Sequence, residues 1–224
     1  MCGARGDSSR WRAEVGAAMA DPLALVDSYP VVAFDMDGVL LDSFRCWWEL
    51  LNDALAQHGK PPLTREQFEL TWGQDVEADR RMFFPRWTTE QIMTHYHNAL
   101  PRFAAMVDVE PEAAATLAAL RRQGKKLAVA TNSPMAIATN LLEGASLAEY
   151  FDVIAGVDLV AEGKPAPDLL HLIARETGVA AAEMAYVGDS VFDESAARAA
   201  GAFFIGYLRP GDARIERLGE LVSA

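Results

Sequence analysis

The feature that most limits what this chain can fold into is a series of short, unbroken apolar runs set between helical patterns. The runs are Val31 to Phe34, Lys126 to Thr131, Phe151 to Gly156, Met184 to Val187 and Phe203 to Ile205. A strand with one wet face alternates polar and apolar residues, whereas a strand covered on both faces reads as continuous apolar sequence. Runs of the second kind, alternating with helices, predict an α/β fold: a Rossmann-like, doubly wound parallel sheet. The intervening helices are punctuated at both ends. Pro111 opens one that stops at Gly124, Pro134 leads one ending near Gly144, and Pro167 leads one ending at Gly178. Proline in the first turn and glycine just past the last follow from the missing N–H of one and the left-handed freedom of the other.

One interval departs from the alternation. From about Phe44 to Asp108 only helical patterns occur: Trp47, Leu50, Leu51, Ala54 and Leu55 recur at helical spacing, and Gly59-Lys60-Pro61-Pro62 ends the run. Thr64 with Gln67, and Thr88 with Gln91, have capping-box spacing and mark two further helix starts. The chain therefore divides into a flexible N-terminal segment (1–29), an α/β core (30–43 and 109–224) and an inserted all-helical cap (44–108). In the first segment Ala18-Met19-Ala20 looks like a signal cleavage site. The apolar stretch before it is short, lacks Leu and Ile and follows Glu14, so a mobile tail, or a start at Met19, is the expectation.

Composition bounds the partners. With 224 residues, 51% of them hydrophobic, the chain is long enough to bury a core without disulfides. A formal charge of -12 argues against a broad basic face for nucleic acid or anionic lipid. No apolar run approaches the roughly 18 residues of a spanning helix, so no membrane association is expected. The two cysteines, Cys2 and Cys46, form neither a disulfide framework nor a metal-site spacing and suit a reducing cytoplasm. Size does not force assembly, and a monomer or homodimer is expected.

The chemistry sits where strands end. In an open parallel sheet, ligands bind beyond the carboxyl ends of the strands. The first strand ends in Phe34-Asp35-Met36-Asp37-Gly38-Val39, two carboxylates one residue apart followed by a glycine that admits close backbone approach. The second ends in Thr131-Asn132-Ser133-Pro134, a hydroxyl ahead of helix-start amides, which suits an anion. Ser133 also reads as a simple helix cap. Lys164 follows the third strand between Gly163 and Pro165. The fourth ends in Gly188-Asp189-Ser190, with Asp193 three residues on, so Asp189 can complete a cation site begun by Asp35 and Asp37. Each loop alone is weak evidence, since most loop acids and lysines are simply solvated. Their combination is far more specific.

Taken together, in this order and over nearly the whole chain after the tail, these motifs resemble the haloacid dehalogenase-like hydrolases. The insertion directly after Asp35-x-Asp37-Gly38-Val39 is similar to the subgroup containing phosphoglycolate phosphatase and β-phosphoglucomutase. The resemblance implies a phosphatase for a small phosphorylated metabolite, of phosphoglycolate or sugar-phosphate type, that works through an aspartyl-phosphate. In it Asp35 is the nucleophile and Asp37 the general acid and base. Mg²⁺ is held by Asp35, the Asp37 backbone carbonyl and Asp189, and phosphate is bound by Thr131, the Asn132 amide and Lys164. Gly38 and Asp193 support the site, Asp193 by orienting Lys164 or metal-bound water. Ser43 is an N-cap candidate where the chain enters the insertion.

The insertion is expected to close over the site and touch the leaving group. Trp72 and Gln74 lie where related caps carry a specificity loop. Arg45, Arg80 and Arg81 are candidates to pair with a second anionic group, although neighbouring arginines on a helix more often face solvent. His95 and His97 diverge on a helix and are not expected to share a metal, and His58 and His171 read as structural. A β-phosphoglucomutase is the alternative; Trp47 stands where those mutases carry a histidine, and Gly188-Asp189 replaces their Glu-Asp pair, so hydrolysis is favoured.

Overall fold

A computed structural model describes residues 26–222, so most of the N-terminal segment, with its Ala18-Met19-Ala20 motif, lies outside the described residues. In chain order, strand β1 (Val31–Phe34) is followed by the short strand β2 (Leu41–Asp42) and four helices, α1 (Phe44–Gln57), α2 (Arg65–Glu69), α3 (Val76–Phe83) and α4 (Thr89–Ala99). After strand β3 (Asp108–Val109) helices and strands alternate: α5 (Ala113–Arg122), β4 (Lys126–Thr131), α6 (Met135–Gly144) and β5 (Val153–Gly156). Then come α7 (Asp168–Thr177), β6 (Met184–Gly188), α8 (Val191–Ala200), β7 (Phe203–Tyr207) and β8 (Ala213–Ile215).

The large sheet has the order β5-β4-β1-β6-β7-β8, and every neighbouring pair is parallel. All four β1 residues are buried, as are all five of β6, which is why these strands carry no polar alternation. From β1 the sheet continues through β4 on one side and β6 on the other. Strand order thus reverses at β1, the place where such sheets open a crevice at their carboxyl edge.

Two elements differ from expectation. Strand β8 has no apolar run to mark it, because Arg214 breaks its three residues. The expected boundary at Ser43 is also built differently: β2 and β3 pair antiparallel, Leu41 opposite Val109 and Asp42 opposite Asp108. These are the two points where the chain enters and leaves the insertion, so the ribbon ties its ends together. Two-residue strands have no periodicity to read. The packed core also begins ahead of residue 30: Val26 is buried, Lys125 Nζ donates to its carbonyl at 2.6 Å, and Tyr29 stacks on Phe203.

Helix starts inside the insertion agree closely with the sequence. Thr64 Oγ1 accepts from Gln67 N at 3.3 Å while Gln67 Oε1 accepts from Thr64 N at 2.9 Å, and Thr88 and Gln91 do the same at 3.2 and 2.9 Å. Each reciprocal pair satisfies backbone donors that have no intrahelical partner. Asp75 caps α3 by accepting from Ala78 N at 2.8 Å. Helix α1 turns Leu50, Leu51, Ala54 and Leu55 inward, and its Trp47 packs edge-on against Tyr96 of α4, with ring centroids 5.7 Å apart.

Candidate active site

Strand register brings the chemistry together. Phe34 at the end of β1 is level with Val129 in β4 and Val187 in β6, so the residues just beyond these positions emerge side by side. Asp35, Thr131 and Asp189 therefore meet at one edge of three adjacent strands. Lys164, from the loop after β5, reaches between them.

Lys164 is 3% exposed, and its Nζ lies 2.7 Å from Asp35 Oδ1 and 2.7 Å from Asp193 Oδ1. It also reaches the Ala130 carbonyl and the Tyr186 hydroxyl, each at 3.2 Å. Burial opposes a charge on this lysine, but the Asp193 and Asp35 carboxylates outweigh it and raise the lysine pKa. Asp193 is wholly buried and fully bonded. Its Oδ1 accepts from Lys164 and from Tyr186 OH at 2.6 Å, and its Oδ2 accepts from Ser190 N at 2.9 Å and from the Ser190 hydroxyl. Burial works against its charge too, and Lys164, Ser190 and Tyr186 together hold its carboxyl below the usual range.

Asp35 and Asp189 stand in the opposite condition. Burial, followed by repulsion from Asp193, pushes the Asp35 carboxyl well above its ordinary value, with Lys164 offsetting part of the rise. Burial and Asp193 likewise push Asp189 up to about 7, against the pull of Lys164 and the Trp72 indole. Asp189 Oδ1 is buried with no hydrogen-bond partner. Asp35, Asp189 and Asp193 each place a carboxylate oxygen within 4.8 Å of the others.

Asp193 completes this carboxylate trio, and the Asp37 carboxyl lies outside it. Asp193 is already committed to Lys164, Tyr186 and Ser190. The oxygens that suit a hard cation are those of Asp35 and the orphaned Asp189, a donor set that fits Mg²⁺. Gly38 lets the loop close onto them. Its φ is +84°, and a Cβ there would lie 2.1 Å from Asp189 Oδ2.

The Asp37 side chain turns elsewhere. Its Oδ1 accepts from Trp47 Nε1 at 2.9 Å and from the Ser43 hydroxyl, and its Oδ2 accepts from Ser133 Oγ at 2.7 Å and Thr131 Oγ1 at 3.3 Å. Ser43 thus does not cap α1 with its side chain, and Ser133 does not cap α6, whose N-cap is Pro134. Both hydroxyls are drawn to Asp37 instead. Sequence reasoning does not find Trp47, Ser43 and Ser133 as site residues. Ser43 and Trp47 are four apart at the start of one helix and so share a face, which is the one signal the sequence offers.

Asn132 spends its side chain on structure. Its amide nitrogen donates to the Gly73 carbonyl at 2.9 Å and the Lys164 carbonyl at 3.0 Å, and its oxygen accepts from Lys164 N at 2.8 Å. One asparagine thereby ties the Trp72-Gly73-Gln74 turn of the insertion to the lysine loop of the core.

Between the sheet edge and the helices lies a cavity of about 60 Å³, lined by Asp35, Asp37, Thr131 and Lys164 below and by Trp47, Trp72, Gln74, Asp79 and Tyr96 above. Trp72 and Gln74 are therefore at the cavity. The three arginines are not. Arg80 is paired with Glu77 at 2.7 and 2.8 Å, Arg81 reaches the same carboxylate at 2.9 Å, and Arg45 lines a separate groove with Asp42, Arg65 and Asp108. Arg80 and Arg81 neighbour Glu77 at three and four residues, so helical pairing claims them first. His58 bonds the Ala54 carbonyl and packs on Phe84 and Trp87, a structural role.

Comparison with known proteins places this geometry in context. The family model for haloacid dehalogenase-like hydrolase matches residues 32–207. Phosphoglycolate phosphatase of Yersinia pseudotuberculosis is 35% identical over 189 residues, covering 78% of this chain and 79% of that protein. The enzyme of that name from Neisseria meningitidis is 34% identical over 197 residues, 82% of each chain. Among solved structures, a haloacid dehalogenase-like hydrolase from Bacteroides fragilis superposes with a TM-score of 0.77 at 26% identity, covering 87% of this chain and 100% of that one. CbbY from Rhodobacter sphaeroides, in complex with phosphate, gives 0.76 at 25% identity over 86% of this chain and 96% of that one.

Proposed function

The chain belongs to the haloacid dehalogenase-like hydrolases, and from that premise we propose that it is a Mg²⁺-dependent phosphatase whose nucleophile is Asp35 and whose substrate is a small phosphomonoester. The observation that carries the reading is the pairing of two differently supported acids: Asp35 on Lys164 beside the unpartnered Oδ1 of Asp189, and Asp37 among hydroxyl and indole donors.

An Asp35 oxygen attacks phosphorus, a bond forms between them, and the bond from phosphorus to the leaving oxygen breaks. Asp37 gives its proton to that oxygen. It then takes a proton from water, whose oxygen attacks the aspartyl-phosphate and releases phosphate and the free Asp35 carboxylate. Asp37 must hold its place in both protonation states. Ser43 and Ser133 suit this, because a hydroxyl rotates to donate or accept, whereas the Trp47 N–H only donates and anchors one oxygen throughout.

Asp35, Asp189 and the Asp37 carbonyl would hold the ion. When bound, Mg²⁺ supplies positive charge that offsets the repulsion between the Asp35 carboxylate and an anionic phosphate. Lys164, kept cationic by its two carboxylates, and the hydroxyl of Thr131 stabilise charge on the transferring group. The residues of the insertion, 44–108, act as a cap that excludes water and contacts the leaving group, tied down through Asn132 and Gly73.

No helix among the described residues is long and apolar enough to cross a membrane. Purified protein assayed for phosphate release over a panel of small phosphomonoesters, aryl phosphates included, tests the reading. Turnover should require Mg²⁺ and vanish on chelation and in Asp35→Asn. A panel without Mg²⁺-dependent turnover overturns it.

A further inference from the structure

On the proposed mechanism, leaving groups enter the part of the cavity walled by the insertion. Trp47, Phe68, Trp72 and Tyr96 give it aromatic sides, with Leu51 and Val76 between them. The same cavity also reaches Asp35, Asp37, Thr131 and Lys164, so a group seated between these aromatic sides lies next to the catalytic floor. Among the described residues the one lysine or arginine lining the cavity is Lys164, already shared between Asp35 and Asp193.

The cap wall instead presents a carboxyl. Asp79 Oδ1 accepts from Gln74 Nε2 at 2.6 Å and Asp79 Oδ2 accepts from the Tyr96 hydroxyl at 2.9 Å, and Asp79 lines the cavity. Each oxygen keeps acceptor capacity beyond these bonds, since a carboxylate offers about four acceptor positions. Gln74 and Tyr96 fix its orientation. Burial raises this carboxyl to about 6, with Gln74 and Tyr96 pulling the other way, so it is mostly ionised above neutrality.

Resting on the phosphatase reading above, we infer that the cavity selects phosphomonoesters whose leaving alcohol carries a hydrogen-bond donor, a hydroxyl or an ammonium, and no negative charge, with Asp79 as the residue that reads it. A carboxylate in this position finds no cation and meets a like charge within an enclosed aromatic wall. A donor finds an oriented acceptor. Discrimination of this kind works through the repulsive element as much as the attractive one. The inference separates this chain from its relatives by name, because phosphoglycolate carries a carboxylate on the leaving side.

The test is kcat/KM of the purified full chain with Mg²⁺ for phosphoethanolamine, glycerol phosphate, phosphoglycolate and nitrophenyl phosphate, in wild type and Asp79→Asn. Wild type should favour phosphoethanolamine and glycerol phosphate over phosphoglycolate by about tenfold or more, and the near-isosteric Asp79→Asn should shrink that ratio several-fold. Phosphoglycolate turned over as well as the donor-bearing esters overturns the inference and leaves the phosphatase reading intact. A wild-type preference that persists unchanged in a folded Asp79→Asn protein overturns the assignment to Asp79. If that variant does not fold, the wild-type ratio decides alone. Failure on every ester, nitrophenyl phosphate included, overturns the parent reading and this inference with it.

Discussion

On the core side of the cavity a lysine and two carboxylates face inward and satisfy one another: Lys164 lies 2.7 Å from both Asp35 and Asp193, and Asp193 takes further bonds from Tyr186 and Ser190. On the cap side the charges turn outward. Arg80 and Arg81 share Glu77 near the surface, and Asp79 alone presents a carboxyl to the cavity. A strand end offers one direction, toward the crevice, so functional groups there must be paired in place. A helix offers a full circle of directions, and its charges escape to solvent unless something holds them in. The floor is therefore fixed by the backbone of the sheet, and the ceiling by how four helices dock.

The sharpest way to break this contrast is to remove one charge from each side. Lys164→Met leaves two buried carboxylates unpaired, which costs about 3–5 kcal/mol. Urea unfolding should show that loss, with phosphate release reduced to background. Arg80→Ala breaks an ion pair with 27% and 32% exposed partners and should cost under about 1 kcal/mol with turnover near wild type. Equal losses in the two variants would erase the distinction.

The same contrast governs how much the sequence alone reveals. Asp35, Thr131 and Asp189 are legible because parallel strands buried on both faces announce themselves and a residue at or just past a strand end has one place to go, whereas Lys164, eight residues beyond β5, is legible only through its place in the order of the motifs. Tyr186 is hidden inside an apolar run, where its hydroxyl serves Lys164 and Asp193. In the insertion, capping boxes at Thr64 and Thr88 locate helix starts because that chemistry is local. Which helix face meets the cavity is a tertiary property. Spacing therefore offers Arg45, Arg80 and Arg81 as readily as Asp79 and Tyr96, and the structure puts the last two at the site. Ser43 and Ser133 read as caps because a hydroxyl near a helix start usually is one. Here Asp37 is the better acceptor.

Trp47 is where cap and core chemistry touch. Trp47→Phe keeps the ring packing on Tyr96 and deletes the N–H that anchors Asp37. A neutral hydrogen bond contributes about 0.5–1.5 kcal/mol, so kcat should fall roughly three- to tenfold with little change in stability. Loss confined to KM would instead make Trp47 a wall of the cavity.

Thr88→Ala removes a capping box from α4 and should cost about 1 kcal/mol in chemical unfolding while turnover at saturating substrate is kept. A pH dependence is also expected. Burial raises Asp79 from 3.8 to about 6, so the folded state holds a proton that the unfolded chain has released. Its contribution to stability therefore declines as pH rises from 3.8 through about 6 and is flat above. Asp79→Asn should be relatively more stable than wild type above that window than below it, read as a difference in Tm across pH. A difference that does not vary with pH would mean that Asp79 ionises as freely as an exposed carboxyl.

The most direct test of the central claim is to acid-quench the protein during turnover of a phosphomonoester with Mg²⁺ and map the phosphorylated peptide by mass spectrometry. A phosphoryl group on Asp35, absent from Asp35→Asn and formed in wild type only when Mg²⁺ is present, is the predicted result. Steady turnover with no phosphoryl group on any acid, or with the group on Asp37 or Asp189, would contradict it.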